Sequence, residues 1–176
     1  MTITPAQFRE AYEKVTREHL AALLVSWTSG ARYTSVITNK VLPAIAETLG
    51  CERHGEYQRI DYVLTDATES VVVPSKNDVV VAIEHENLPI GSEVEVEKLY
   101  NFDAPLGVLI TYIKMNNLKS QFAVYESRIA ALSQHLSVPR KGAVLLIVGP
   151  GGVTIPSKLE WQYFLLDEQG KFQPLP

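Results

Sequence analysis

Glu84, His85 and Glu86 close the stretch VVVAIEHEN (79–87), where an apolar run gives way to two acids around a histidine. If 79–86 is a strand, residues two apart share a face, so Glu84 and Glu86 lie together with Val80 and Ala82 while His85 faces the other way. A second acid-bearing stretch, EYQRIDYVLTD (56–66), alternates with period two, placing Asp61 with Arg59 and Val63 on one face. If the two strands are neighbours, Asp61 approaches Glu84. Carboxylates crowded in this way raise one another's pKa unless a cation sits between them. Mg²⁺ suits such a place, because it takes one or two carboxylates and keeps waters or phosphate oxygens as its other ligands. A cation so held polarises a phosphodiester and turns a bound water into a nucleophile.

Other constellations are weaker. His19, His54 and His135 have no ligand-like spacing and no HExxH pattern occurs. GPGG (149–152) lacks the Gly-Lys-Ser/Thr of a phosphate loop and reads as a turn between strands. Ser, His and Asp residues sit in no nucleophile-elbow context. The bland reading of Glu84 and Glu86 is a buried strand surfacing at its end, that of Asp61 an ion pair with Arg59, and that of Lys98 an i,i+3 partner for Glu95. His85 reads as a packed or hydrogen-bonded core histidine.

The elements that must position these residues follow from pattern. Thr4 and Pro5 open an amphipathic helix, with Phe8, Tyr12, Val15, His19 and Leu23 on one face, running to about Trp27 and ended by Gly30. Ile37, Val41, Ile45 and Leu49 mark a second helix closed by Gly50, with Pro43 kinking it or marking its start. After the two acid-bearing strands, SEVE (92–95) fits a capping box that starts a helix to about Phe102, Ser92 capping and Glu95 reaching back. PLGVLITYI (105–113) is a strand covered on both faces, 117–136 a longer helix, AVLLIVG (143–149) another buried strand, and WQYFLLD (161–167) a last edge strand. The order of elements predicts one α/β domain over 1–176, three layers deep, with a central mixed sheet flanked by helices.

Composition agrees. The chain has 176 residues, 46% of them apolar, enough for one sizeable core. Its net charge of −4 argues against a protein that coats nucleic acid, but leaves room for a local basic patch. Residues 84–103 carry Glu84, Glu86, Glu93, Glu95, Glu97 and Asp103 against Lys98 alone. Cations gather elsewhere: Arg9, Lys14 and Arg17 on the first helix, Arg32, Lys40, Arg53 and Arg59 around the second, then Lys114, Lys119, Arg128, Arg140 and Lys141. That split suits a metal pocket edged by a phosphate-binding surface, and equally an ordinary solvated exterior. Cys51 is the single cysteine, which excludes an intrachain disulfide and a thiolate zinc cluster. The N-terminus has no apolar signal region and no run reaches bilayer length, so a cytoplasmic protein without membrane contact is expected.

RIDYVL (59–64), a loop, VVVAIEHEN (79–87), a capped helix and LGVLITY (106–112) together resemble the core of the PD-(D/E)XK nuclease superfamily. There an Asp opens the motif on one strand and an acid-x-Lys triplet sits on the next. The preceding LPAIAETLGCERHGEYQRIDYVL is similar to the N-terminal nuclease domain of type I restriction subunits, where a helix ending near Leu-Gly precedes the first catalytic strand. The resemblance covers roughly 36–112 and implies a restriction-endonuclease-like fold. It also implies a nuclease hydrolysing DNA phosphodiester bonds with Mg²⁺ or Mn²⁺, Asp61 and Glu84 serving as metal ligands. Homodimers and helicase or methylase partners, common among such proteins, are the implied protein partners. Glu86 stands where the triplet has lysine, an exchange some restriction endonucleases share. In parts of the superfamily the lysine moves to the following helix, where Lys98 stands between the apolar Val94 and Phe102. From there its ammonium could serve a pentavalent phosphate. A helical acid upstream would be Glu47 or Glu56. The alternative is a catalytically inactive nuclease-fold binding or assembly module, and a third reading is an unrelated α/β domain with a surface acid cluster.

Overall fold

The computed structural model describes residues 1–68, 73–88, 91–134, 141–151, 156 and 159–175. His135 and Arg140, the end of the helix expected over 117–136, and Gly152 of GPGG lie outside them. A seven-stranded mixed sheet runs in chain order, β1 (Cys51–His54), β2 (Tyr62–Asp66), β3 (Val79–Glu86), β4 (Leu106–Ile113), β5 (Ala143–Pro150), β6 (Gln162–Leu166) and β7 (Phe172–Pro174). β3, β4 and β5 pair parallel at the centre; β1–β2–β3 and β5–β6–β7 pair antiparallel at the two sides. Helices cover both faces, giving the three-layer α/β arrangement expected. No helix among the described residues is long and apolar enough to cross a membrane.

One layer is built from α1 (Pro5–Glu18), α2 (Leu20–Ser26), α3 (Gly30–Val36) and α4 (Leu42–Thr48). Thr4 caps α1 in a full capping box with Gln7, and Phe8, Tyr12 and Val15 pack with Val81, Ile83 and Ile110 of the sheet. The expected single first helix breaks at His19, whose backbone leaves helical geometry at ψ 11°. Gly30 opens α3 instead of closing its predecessor, because the Ser29 hydroxyl caps Arg32 N–H at 3.4 Å. Pro43 does mark a break. A π-turn over Ile37–Val41 precedes it, and α4 starts with the proline in its first turn, where its missing N–H costs nothing.

α5 (Ser92–Phe102) and α6 (Leu118–Ser133) form the other layer, with Val96, Leu99, Tyr125 and Ile129 buried against Ala82, Leu109 and Leu146. Alternation along the parallel strands separates the two cores: Val81 and Ile83 face the α1–α4 side, Ala82 the α5 side.

Three further expectations change. The stretch 56–66 is not one strand: a two-residue turn at Gln58 and Arg59 joins Tyr57 to Ile60, and β2 begins only at Tyr62. Both turn residues are left-handed, at φ 49° and 72°, so the period of two does not carry through them. Ser92 is not the N-cap of α5. Gly91 takes that position at φ 98°, Glu93 accepts its N–H at 3.0 Å, and the Ser92 hydroxyl is buried against the Tyr125 hydroxyl at 2.6 Å. Finally, 161–167 does not supply the edge. Gly170, at φ 73°, and the Asp167 carboxylate, which accepts from Gln169 and Lys171 N–H groups, turn the chain back into β7.

Candidate functional site

Glu84 sits six residues into β3, between an antiparallel neighbour and a parallel one, and α5 lies across the same face. Strand alternation turns its side chain toward α5 together with Ala82. Enclosed in this way, Glu84 is 0% exposed. Neither carboxylate oxygen has an aligned hydrogen-bond donor among the described residues. An ionised carboxylate in such a place is costly, so the group is pushed well up, to about 9. Burial is the main cause, followed by the Asp61 carboxylate, which lies within hydrogen-bonding reach, and by Glu95; the ammonium of Lys98 opposes them.

Asp61 precedes β2 directly and is half-buried. The antiparallel register, Tyr62 opposite Ile83, brings Asp61 level with Glu84. Its Oδ2 accepts the main-chain N–H of His85 at 3.0 Å, which holds the carboxylate against the end of β3. Lys98 arrives from α5. Its Nζ is 3.2 Å from Glu84 Oε1, pairs with Glu95 Oε2, and donates to the Arg59 carbonyl at 3.3 Å. Partial burial pulls this ammonium down, but Glu95 and Glu84 outweigh it and hold it above the usual lysine range.

Asp61, Glu84 and Lys98 are thus brought together as expected. The ion pair between Lys98 and Glu95 is present in the same arrangement, as the bland reading of the lysine had it. Glu86 stands apart: half-buried on the same strand face, its Oε1 accepts Leu88 N–H at 2.7 Å across the turn that follows β3. Glu47 and Glu56 are exposed, and neither is among the charges acting on Glu84. The helical acid that does act on it is Glu95, from the helix after the strand and not before it. Its signal in the sequence was the i,i+3 spacing to Lys98, which reads as an ordinary surface pair until α5 is laid over β3. Arg59 does not pair with Asp61 as the bland reading had it; its side chain is exposed while its carbonyl meets Lys98.

His85 points to the opposite core. Its Nε2 meets the Tyr112 hydroxyl at 3.0 Å, the two rings stand edge to face at 5.7 Å, and burial pushes the imidazole down to about 4 despite the pull of Asp61. A second bolt, from the Asn87 amide to the Thr34 hydroxyl, ties the same strand end to α3. The acid-bearing end of β3 is therefore fixed from the α1–α4 face by these two bonds, while Lys98 meets Glu84 on the α5 face.

Among the described residues no group of three or more His, Cys, Asp or Glu side chains is placed to form a metal cage. The pair Asp61 and Glu84 supplies hard oxygen donors, one of them buried and without an aligned donor of its own. That set fits a cation that takes two carboxylates and completes its shell with water and substrate oxygens, as Mg²⁺ and Mn²⁺ do. No family model, curated protein or solved structure matches the chain.

Proposed function

We propose that the chain is a Mg²⁺- or Mn²⁺-dependent nuclease that hydrolyses DNA phosphodiester bonds, with a restriction-endonuclease-like arrangement of Asp61, Glu84, Glu86 and Lys98. The observation that carries the reading is the Glu84 carboxylate, fully buried, without an aligned donor, and facing both Asp61 and Lys98. A cation held by Asp61 and Glu84 supplies Lewis-acid polarisation of the phosphate and a more acidic water. The protein's own part is to hold those oxygens still. The His85 N–H orients Asp61, the β-sheet register orients Glu84, and Glu95 with the Arg59 carbonyl keeps the Lys98 ammonium beside them. From there Lys98 places positive charge where a pentavalent phosphate gathers negative charge. Glu86, steadied by Leu88 N–H, extends the acidic face and is the group for orienting an attacking water. The test is cleavage of supercoiled plasmid and of short duplexes with Mg²⁺, Mn²⁺ and chelator, alongside calorimetric Mn²⁺ binding. Asp61→Asn and Glu84→Gln are expected to abolish binding and cleavage, Lys98→Ala to abolish cleavage with Mn²⁺ binding kept. Absence of Mn²⁺ binding at millimolar concentration in the unaltered protein ends the nuclease reading.

A second reading is favoured by a different observation: Lys98 is already engaged by two carboxylates and Glu86 by a backbone N–H. In that reading the chain is a catalytically inactive nuclease-fold module that binds or assembles with a partner. Nucleic-acid or protein binding without metal-dependent cleavage distinguishes it.

A further inference from the structure

The turn that delivers Asp61 to the site is built at a conformational cost. Two-residue hairpin turns with both central residues at positive φ favour Asn-Gly, whose second residue has no Cβ to strain. Here the positions hold Gln58 and Arg59, at φ 49° and 72°. The turn is closed by both backbone bonds between Tyr57 and Ile60, each 2.9 Å. It is further clamped by the Tyr57 ring edge-to-face on Phe102 at 6.1 Å and by Lys98, which donates to the Arg59 carbonyl at 3.3 Å. Neither residue is the glycine or asparagine that such a turn favours. Residues kept in sparsely populated backbone regions cluster where surrounding structure is used to hold a side chain for function.

The Arg59 side chain is the part of this assembly left over. It is exposed and makes no ion pair among the described residues, and its own backbone is bonded to the lysine that faces Glu84. Asp61, two residues on, is the acid whose carboxylate lies beside Glu84. A polyanion approaching Asp61, Glu84 and Glu95 is repelled unless a cation receives it, and guanidinium matches phosphate with two parallel donors. We propose that Arg59, displayed by the Gln58–Arg59 turn, is the phosphate-binding residue of this site and seats a nucleic-acid backbone phosphate beside the acid pair. The inference rests on the nuclease reading and adds its substrate-capturing residue.

The experiment measures affinity for a fluorescein-labelled DNA duplex by anisotropy, with Ca²⁺ in place of Mg²⁺, across a salt series, and cleavage kinetics with Mg²⁺. Arg59→Ala should weaken binding about tenfold and lower the salt slope by about one, while KM rises and kcat changes little. The double variant Gln58→Asn with Arg59→Gly keeps the turn and relieves its strain. It should bind as weakly as Arg59→Ala yet melt at a higher temperature than the unaltered protein, which separates lost contact from lost fold. Arg59→Lys should restore part of the affinity. Unchanged affinity and salt slope in both variants, with Mn²⁺ binding intact, overturns the role of Arg59 and leaves the nuclease reading standing. Loss of Mn²⁺ and DNA binding in the unaltered protein overturns both.

Discussion

The carboxylate of Asp61 accepts the main-chain N–H of His85 at 3.0 Å, so the acid ahead of one strand is anchored to the residue next to the buried acid of another. The separation of the two acids is consequently a property of sheet register and not of side-chain rotamers. Asp61→Ala removes the acceptor as well as the charge and strands a partly buried N–H, at a cost of about 1–3 kcal/mol. Asp61→Asn keeps an acceptor. Chemical denaturation should therefore rank Asp61→Ala below Asp61→Asn in stability; equal stabilities would show that the bond holds nothing.

The Glu84 carboxyl is raised by burial and by Asp61, to about 9, so in the folded state it keeps its proton far above the range of an exposed glutamate, about 4.3. Between those values the folded protein binds more protons than the unfolded one, and stability falls as pH rises. Denaturation midpoints are expected to decline from about pH 6.5 to about pH 9, and Glu84→Gln should flatten that decline. Calorimetry of Mn²⁺ binding near neutral pH in buffers of different ionisation enthalpy should detect a released proton.

His85 works in the opposite sense. Burial pushes it down to about 4, whereas an unfolded histidine titrates near about 6.5. Its contribution is present above the unfolded value and is lost as pH falls through this window, because the unfolded chain then takes up the proton. In Glu84→Gln, with the opposing slope removed, acid destabilisation between about pH 6.5 and pH 4 should stand out. Adding Tyr112→Phe, which takes away the hydroxyl at His85 Nε2, should shift its onset.

The sheet's interior strands were legible because they are enclosed: Val79–Ile83 and Ala143–Val148 carry unbroken apolar runs and Leu106–Ile113 a near-continuous one. The pairing of Asp61 with Glu84 followed from those runs and one antiparallel step. What the pattern hid was local. Period-two alternation continued on paper through Gln58 and Arg59, although two left-handed residues reverse the chain there. β1 was concealed because CERH, at a sheet edge, has one buried residue and no apolar rhythm. Glu95 was legible only as the partner of Lys98, since its approach to Glu84 depends on how α5 crosses β3.

Gly149 shows what close approach demands. A Cβ there would stand 2.6 Å from the Trp161 ring and 2.8 Å from Tyr112, two aromatics packed at 5.8 Å from each other. Gly149→Ala should destabilise by about 1–3 kcal/mol through overpacking, and the displaced Tyr112 should loosen His85. Thermal melts and the near-ultraviolet circular dichroism of the aromatic cluster would report it; unchanged values would mean that the rings have room to move.

Every strand of the sheet lies beside the strand that precedes it in the chain. Such a sheet can be laid down in the order of synthesis, each new strand finding its template already in place, with no gap to be filled by a later segment. The two parallel pairs still close over crossovers, Val81 with Leu106 and Leu106 with Ala143, and these are the slower steps of such a sheet. All four acids and the lysine of the site fall within the span from Asp61 to Lys98, ahead of the second crossover helix. The acid-bearing region is therefore synthesised ahead of β4–β7, the strands that complete the sheet beside it.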